Sequence, residues 1–141
     1  MGQVMTAEQV ENRIGLEMFA RLGCYAEGKV YVVPITYAYE NGVIYSIGGE
    51  GMKMRMMRKN PEVCLEIEHL EGPEDWETVI AWGRFEELTG DDARHGLELF
   101  IRRVTPPGAE AKKEQPAGPP PLVYRIILGE KTGRYESAST V

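Results

Sequence analysis

The chain is poor in cysteine and histidine and has no excess of positive charge. Two cysteines, Cys24 and Cys64, are too few for a disulfide framework and read as two buried thiols. Two histidines, His69 and His95, are far apart in sequence and far from any obvious nucleophile, so no metal site is assigned and the catalytic residues stay unknown. Lys and Arg number 16 against 22 Asp and Glu, a formal charge of −6. That balance argues against a nucleic acid partner, because binding a phosphate backbone needs a positive surface. No apolar run is long enough to span a membrane, and the first residues, MGQVMTAEQVEN, lack the basic and apolar regions of a secretory signal. One cytoplasmic domain over residues 1–141 is the expectation.

What the chain does carry is concentrated between Tyr31 and Glu68. Tyr31, Val33, Ile35, Tyr37 and Tyr39 alternate with Val32, Pro34, Thr36 and Ala38, the period-two pattern of a strand rich in β-branched and aromatic residues. Asn41-Gly42 predicts a type I′ hairpin turn into a return strand, Val43 to Ile47. Pro34 cannot donate to a ladder, so it belongs at an edge, a bulge or a ligand opening. Gly48-Gly49-Glu50-Gly51 turns the chain into two helical turns, Met52 to Lys59, with Lys53 in the first turn and Arg55, Arg58 and Lys59 behind it. Free N–H groups at such a helix start, with a lysine beside them, suit a phosphate; a solvated basic face is the alternative.

The flanks complete a mostly β pattern. Thr6 and Gln9 have the spacing of a capping box, opening a helix with Val10 and Ile14 on its apolar face. Ala20 to Ala26 reads as the first strand, turning at Glu27-Gly28. Val63, Leu65 and Ile67 alternate with glutamates, and His69 is expected in the loop that follows. Trp76 to Leu88 carries apolar residues on both parities, which fits a strand packed inside a barrel and against a second subunit. Asp91 or Asp92 is expected to cap a helix reaching Val104, with Leu97, Phe100, Ile101 and Val104 as its stripe. Residues 105–121 form a Pro/Gly-rich loop within the domain, Leu122 to Leu128 the last strand, and Glu130 to Arg134 a polar turn. About six strands and no βαβ repeat give an all-β or α+β class: an antiparallel split β-barrel with small flanking helices.

Four blocks in order, ARLGCYAEGKVYVVPITYAYENGVIY, GMKMRMMRKNPEVCLEIE, WETVIAWGRFEEL and VYRIILGEKTGRYE, resemble the pyridoxamine-phosphate-oxidase-like, FMN-binding split-barrel family, nearest to its nitroimidazole-resistance-related branch. The resemblance implies a homodimer with FMN in clefts between subunits. It puts Val33, Pro34, Ile35 and Thr36 along the isoalloxazine, Ser46 and Ile47 by the ribityl chain, Met52 and Lys53 at the phosphate, and Trp82 closing the site from the adjacent sheet or the partner. Ile47 stands where many members of that branch have histidine, and Gly51-Met52-Lys53 lacks the oxidase's serine and arginine. A deazaflavin or haem therefore stays as the alternative cofactor. The implied activity is a flavin-dependent oxidoreductase passing electrons from a reduced nicotinamide nucleotide to a small acceptor such as a nitroaromatic or quinone. A non-catalytic flavin-binding protein is the alternative.

Overall fold

The computed structural model describes residues 2–109 and 118–138. In chain order the elements are β1 (Gln3–Val4), α1 (Ala7–Leu16), β2 (Phe19–Ala26), β3 (Lys29–Thr36), β4 (Ala38–Glu40), β5 (Val43–Gly48), α2 (Met52–Lys59), β6 (Glu62–Gly72), β7 (Asp75–Glu87), α3 (Gly90–Val104) and β8 (Leu122–Glu136). Every described strand pairing is antiparallel, in the order β3-β2-β6-β7-β8-β5-β4, with β1 added to β8. The ladder does not close. Its two edges, β3 and β4, are nevertheless consecutive in sequence, so the sheet curls into a split barrel whose seam lies between β3 and β5.

The local signals have physical counterparts. Thr6 Oγ1 accepts from the Gln9 amide at 3.1 Å while Gln9 Oε1 accepts from the Thr6 amide at 2.7 Å, so both halves of the capping box form. Glu27-Gly28 and Asn41-Gly42 have positive φ at both positions, 51° and 77°, then 48° and 80°, as two-residue hairpin turns demand. Leu22, Leu65, Ile67, Val79 and Ile126 fill the barrel, and α1 and α2 add Ile14, Met54 and Met57 to the same core. Gly83 is where β7 presses against β8: a Cβ there would lie 2.7 Å from both Ile126 Cγ2 and the Ile127 carbonyl oxygen.

Several boundaries differ from expectation. The segment Tyr31–Tyr39 is two strands, not one. Tyr37 is fully buried, its amide donates to Met18 O at 2.9 Å and its hydroxyl to Ile14 O at 2.7 Å. Meeting those partners lifts the chain off β2 and delivers Ala38 to Tyr45 on β5. The residues expected as a polar turn, Glu130–Arg134, continue β8, because the long β7 gives their backbone a ladder from Ala81 to Trp76. His69 is a strand residue opposite Glu77. The cap of α3 is Thr89, with Asp91 and Asp92 in its first turn. Ile101 faces outward, and α3 packs through Ala93, Leu97 and Leu99 on Tyr45, Leu88 and Val123. Of the Pro/Gly-rich loop, residues 110–117 lie outside the described residues. Among the described residues no helix is long and apolar enough to cross a membrane.

Candidate functional site

The outer face of the β3-β2-β6-β7 sheet is the first unusual surface. Alternation buries Leu22, Cys24, Ile35, Val63, Leu65, Val79 and Ala81, so the opposite parity must face outward. That parity is still apolar: Val30 is 70% exposed, Val32 62%, Tyr25 51% and Trp82 42%. Tyr25, Val30, Cys64 and Trp82 line a shallow cavity of about 320 Å³. Ion pairs bound the patch, Arg84 with Glu62 at 3.0 Å on one side and Arg21 with Glu66 at 3.3 Å and with Glu68 on the other.

The second feature is the seam. Ser46, 1% exposed, donates its hydroxyl to Thr36 O at 2.7 Å, tying β5 to the end of β3 where no ladder runs. Two residues further along β5 the chain turns through Gly48 into α2. The cap residue of α2, Gly51, contributes no side-chain hydrogen bond, and the first turn holds no acidic residue, so its leading N–H groups stay available. The Lys53 ammonium lies over Gly48, where an added Cβ would come within 3.0 Å of Nζ. Bare backbone donors, a glycine that leaves room and one close ammonium are a donor set that fits a phosphate group.

Charge around α2 is already divided. Arg58 grips Glu87 with Nε at 3.0 Å and Nη2 at 2.8 Å, and Glu50 with Nη1 at 2.9 Å. That guanidinium holds both carboxyls below the usual range. Lys59 pairs with Glu27 at 2.7 Å. Among the described residues Lys53 and Arg55 make no ion pair; of the two, it is Lys53 that lies beside Gly48, while Arg55 lines the neighbouring cavity with Lys29 and Met52.

The nine residues singled out from sequence fall in five places. Thr36, Ser46, Ile47 and Lys53 gather around the seam and the start of α2. Val33 and Ile35 turn inward, with Ile35 buried and Val33 packed on the core, so only their backbone lies toward the edge. Pro34 faces outward into a cavity of about 250 Å³ with Arg21, Glu66 and Glu68. Met52 lines a different cavity beside Lys29 and Arg55. Trp82 sits on the apolar outer face and shares a cavity with neither Pro34 nor Met52.

Sequence reading missed the polar cluster beside Pro34. Burial, together with the adjoining Glu68, pushes the Glu66 carboxyl up, while Arg21 holds Glu68 down. The available signal was the spacing Glu62, Glu66, Glu68 on the outward parity of β6; what it lacked was the knowledge that Arg21 is the cross-strand partner. The histidines are engaged elsewhere. His69 Nε2 lies 2.7 Å from Glu71, and His95 Nε2 lies 2.8 Å from Glu40.

Comparison with known proteins bears on this geometry. The family model described as pyridoxamine 5'-phosphate oxidase matches residues 6–135. An uncharacterized protein of Rhizobium meliloti (strain 1021) is 33% identical over 93 residues, which is 66% of this chain and 62% of that protein, so the match spans less than two thirds of the relative's length. The crystal structure of an FAD-binding protein from Mesorhizobium loti superposes with a TM-score of 0.82 at 24% identity, covering 98% of both chains. That of a candidate 5-nitroimidazole antibiotic resistance protein from Bacteroides thetaiotaomicron gives 0.73 at 23%, covering 94% of this chain and 86% of the other. Both establish the split-barrel fold.

Proposed function

Since the chain belongs to the pyridoxamine 5'-phosphate oxidase family, we propose that it is a flavin-binding oxidoreductase that works as a homodimer. The observation that carries the reading is the junction of Gly48, the uncapped start of α2 and the Lys53 ammonium. It offers phosphate donors at the point where the resemblance puts the flavin phosphate. The names of the Mesorhizobium and Bacteroides proteins agree with a flavin and with an acceptor of nitroaromatic type.

In this reading the β3 edge, from Val33 to Thr36, lies along the isoalloxazine and presents backbone groups to its polar rim. Ser46 acts by holding that edge in register, because its hydroxyl already donates to Thr36 O. Ile47 and Met52 pack beside the ribityl chain and the phosphate. The apolar outer face of Tyr25, Val30, Val32 and Trp82, ringed by ion pairs, is where a second copy docks. Trp82 on that face then reaches the cleft of the other subunit. A bound flavin would supply the redox chemistry between a reduced nicotinamide nucleotide and a small nitroaromatic or quinone; the protein's part is to bind it, orient it and exclude water. Among the described residues the cysteines are free thiols, which agrees with a cytoplasmic location.

The test is the absorption spectrum of the purified protein, repeated after adding FMN and removing the excess. Bands at about 375 and about 450 nm retained by the protein support the reading. A single strong band at about 400–410 nm would move the case to haem, and no retained chromophore would overturn it for flavin. Flavin bands without reduction by NADH or NADPH would support the non-catalytic alternative.

A further inference from the structure

The cavity next to the start of α2 has a cationic lining, Lys29, Arg55 and Lys59, to which the FMN reading gives no role. It measures about 230 Å³. Ala26, Met52 and Met56 form its apolar floor, and Lys29, Arg55 and Lys59 stand around it. Glu27 is its one carboxylate and is engaged by Lys59 at 2.7 Å. Three cations against one carboxylate is a local excess of positive charge on a chain whose formal charge is −6. The charges are held in place by rigid elements: Lys29 follows the tight Glu27-Gly28 turn at the first residue of β3, and Arg55 and Lys59 are one helical turn apart on α2.

Three features narrow the ligand. The cations call for phosphate. The methionine floor suits a flat aromatic ring, because the thioether is polarizable and adapts its shape to the surface laid on it. The size is below the roughly 300–1,000 Å³ of clefts that enclose a whole drug-sized ligand, so the cavity fits one end of a longer molecule. Met52 both lines this cavity and opens α2, whose N-terminus is the proposed phosphate site. The cavity therefore adjoins that site at Met52.

We propose that the cavity between the Glu27-Gly28 turn and α2 binds the adenosine-diphosphate portion of a dinucleotide, with Lys29 and Arg55 on its phosphates and Met52 and Met56 under its base. The inference rests on the flavin reading and extends it: the bound dinucleotide is FAD, or it is the reduced nicotinamide donor beside FMN.

The experiment is calorimetric titration of the flavin-free full-length protein with ADP, FMN and FAD, and of the FMN-loaded protein with NADH, repeated for Lys29→Ala/Arg55→Ala and for the charge-keeping Lys29→Arg/Arg55→Lys. The expected result is that ADP binds the wild type and the Arg/Lys variant, and that the double alanine variant binds it at least tenfold more weakly while its FMN affinity stays within threefold. FAD binding at least tenfold tighter than FMN, with the gap closed in the alanine variant, assigns the cavity to the flavin dinucleotide. Equal FAD and FMN affinities, with NADH binding lost in the alanine variant, assign it to the donor. FMN binding with no ADP binding, or ADP binding indifferent to both substitutions, overturns the inference and leaves the flavin reading standing. Binding of none of the three to the wild type overturns both. A circular dichroism melt of each variant identifies any that fails to fold, and the Arg/Lys variant then decides by whether ADP binding survives with the charge retained.

Discussion

Ser46 Oγ lies 2.7 Å from the carbonyl oxygen of Thr36 and donates to it across the seam of the barrel. β3 and β5 share no backbone ladder, so this contact holds the two strands together at the height where the β3 edge is expected to meet the flavin. Ser46→Ala leaves the Thr36 carbonyl without that donor. The expected cost is about 1–3 kcal/mol of stability, read as a lower urea midpoint at unchanged slope. A change inside about 0.5 kcal/mol, the range of ordinary surface substitutions, would show that the seam does not depend on it.

Lys53 is the second test of the same region. Its ammonium lies over Gly48 at the start of α2, and among the described residues it has no carboxylate partner. Lys53→Ala removes a charge-assisted phosphate contact and is expected to weaken FMN binding by at least roughly tenfold. Arg58→Ala should do much less to affinity, since that guanidinium is held by Glu50 and Glu87. Flavin titration checks both, and unchanged affinity in the Lys53 variant would remove it from the phosphate site.

The apolar outer face is where the proposed dimer is tested. With Tyr25, Val30, Val32 and Trp82 exposed on one sheet, the wild type is expected to run as a dimer by light scattering at micromolar concentration. Trp82→Glu puts an unpaired charge in the middle of that face and should give a folded monomer with little flavin affinity. A monomeric wild type would contradict the interface.

Arg58 gives a pH dependence whose sign follows from its partners. It holds the Glu50 and Glu87 carboxyls below their ordinary range in the folded protein. Groups depressed on folding contribute above the unfolded carboxylate value, about 4.3, and lose that contribution as the pH falls through the lower folded values. The gap in urea midpoint between wild type and Arg58→Met is therefore expected to be full near neutrality and to narrow progressively as the pH falls below about 4. The groups are exposed, so the gap is small at any pH. A gap that does not change with pH would show that Arg58 acts through packing alone.

How much of this was legible beforehand depends on the range of the interaction. The capping box of Thr6 and Gln9, the positive-φ turns at Glu27-Gly28 and Asn41-Gly42, and the alternation of β2, β6 and β7 rest on residues within a few positions of one another. Each side chain and turn carries its own geometric requirement, so the sequence determined these elements, the antiparallel class and the place of Lys53 in the first turn of α2. The tertiary structure decided what depends on distant partners. Tyr37 breaks a strand that alternates without interruption because its buried hydroxyl needs the Ile14 carbonyl. Arg58 leaves the candidate phosphate donors because Glu87, 29 residues away, arrives opposite it. Arg21, Glu66 and Glu68 gather beside Pro34 only once β2 pairs with β6. Polar and charged groups take whichever partner the fold brings within hydrogen-bond reach, and period-two or period-3.6 patterns carry no record of that partner.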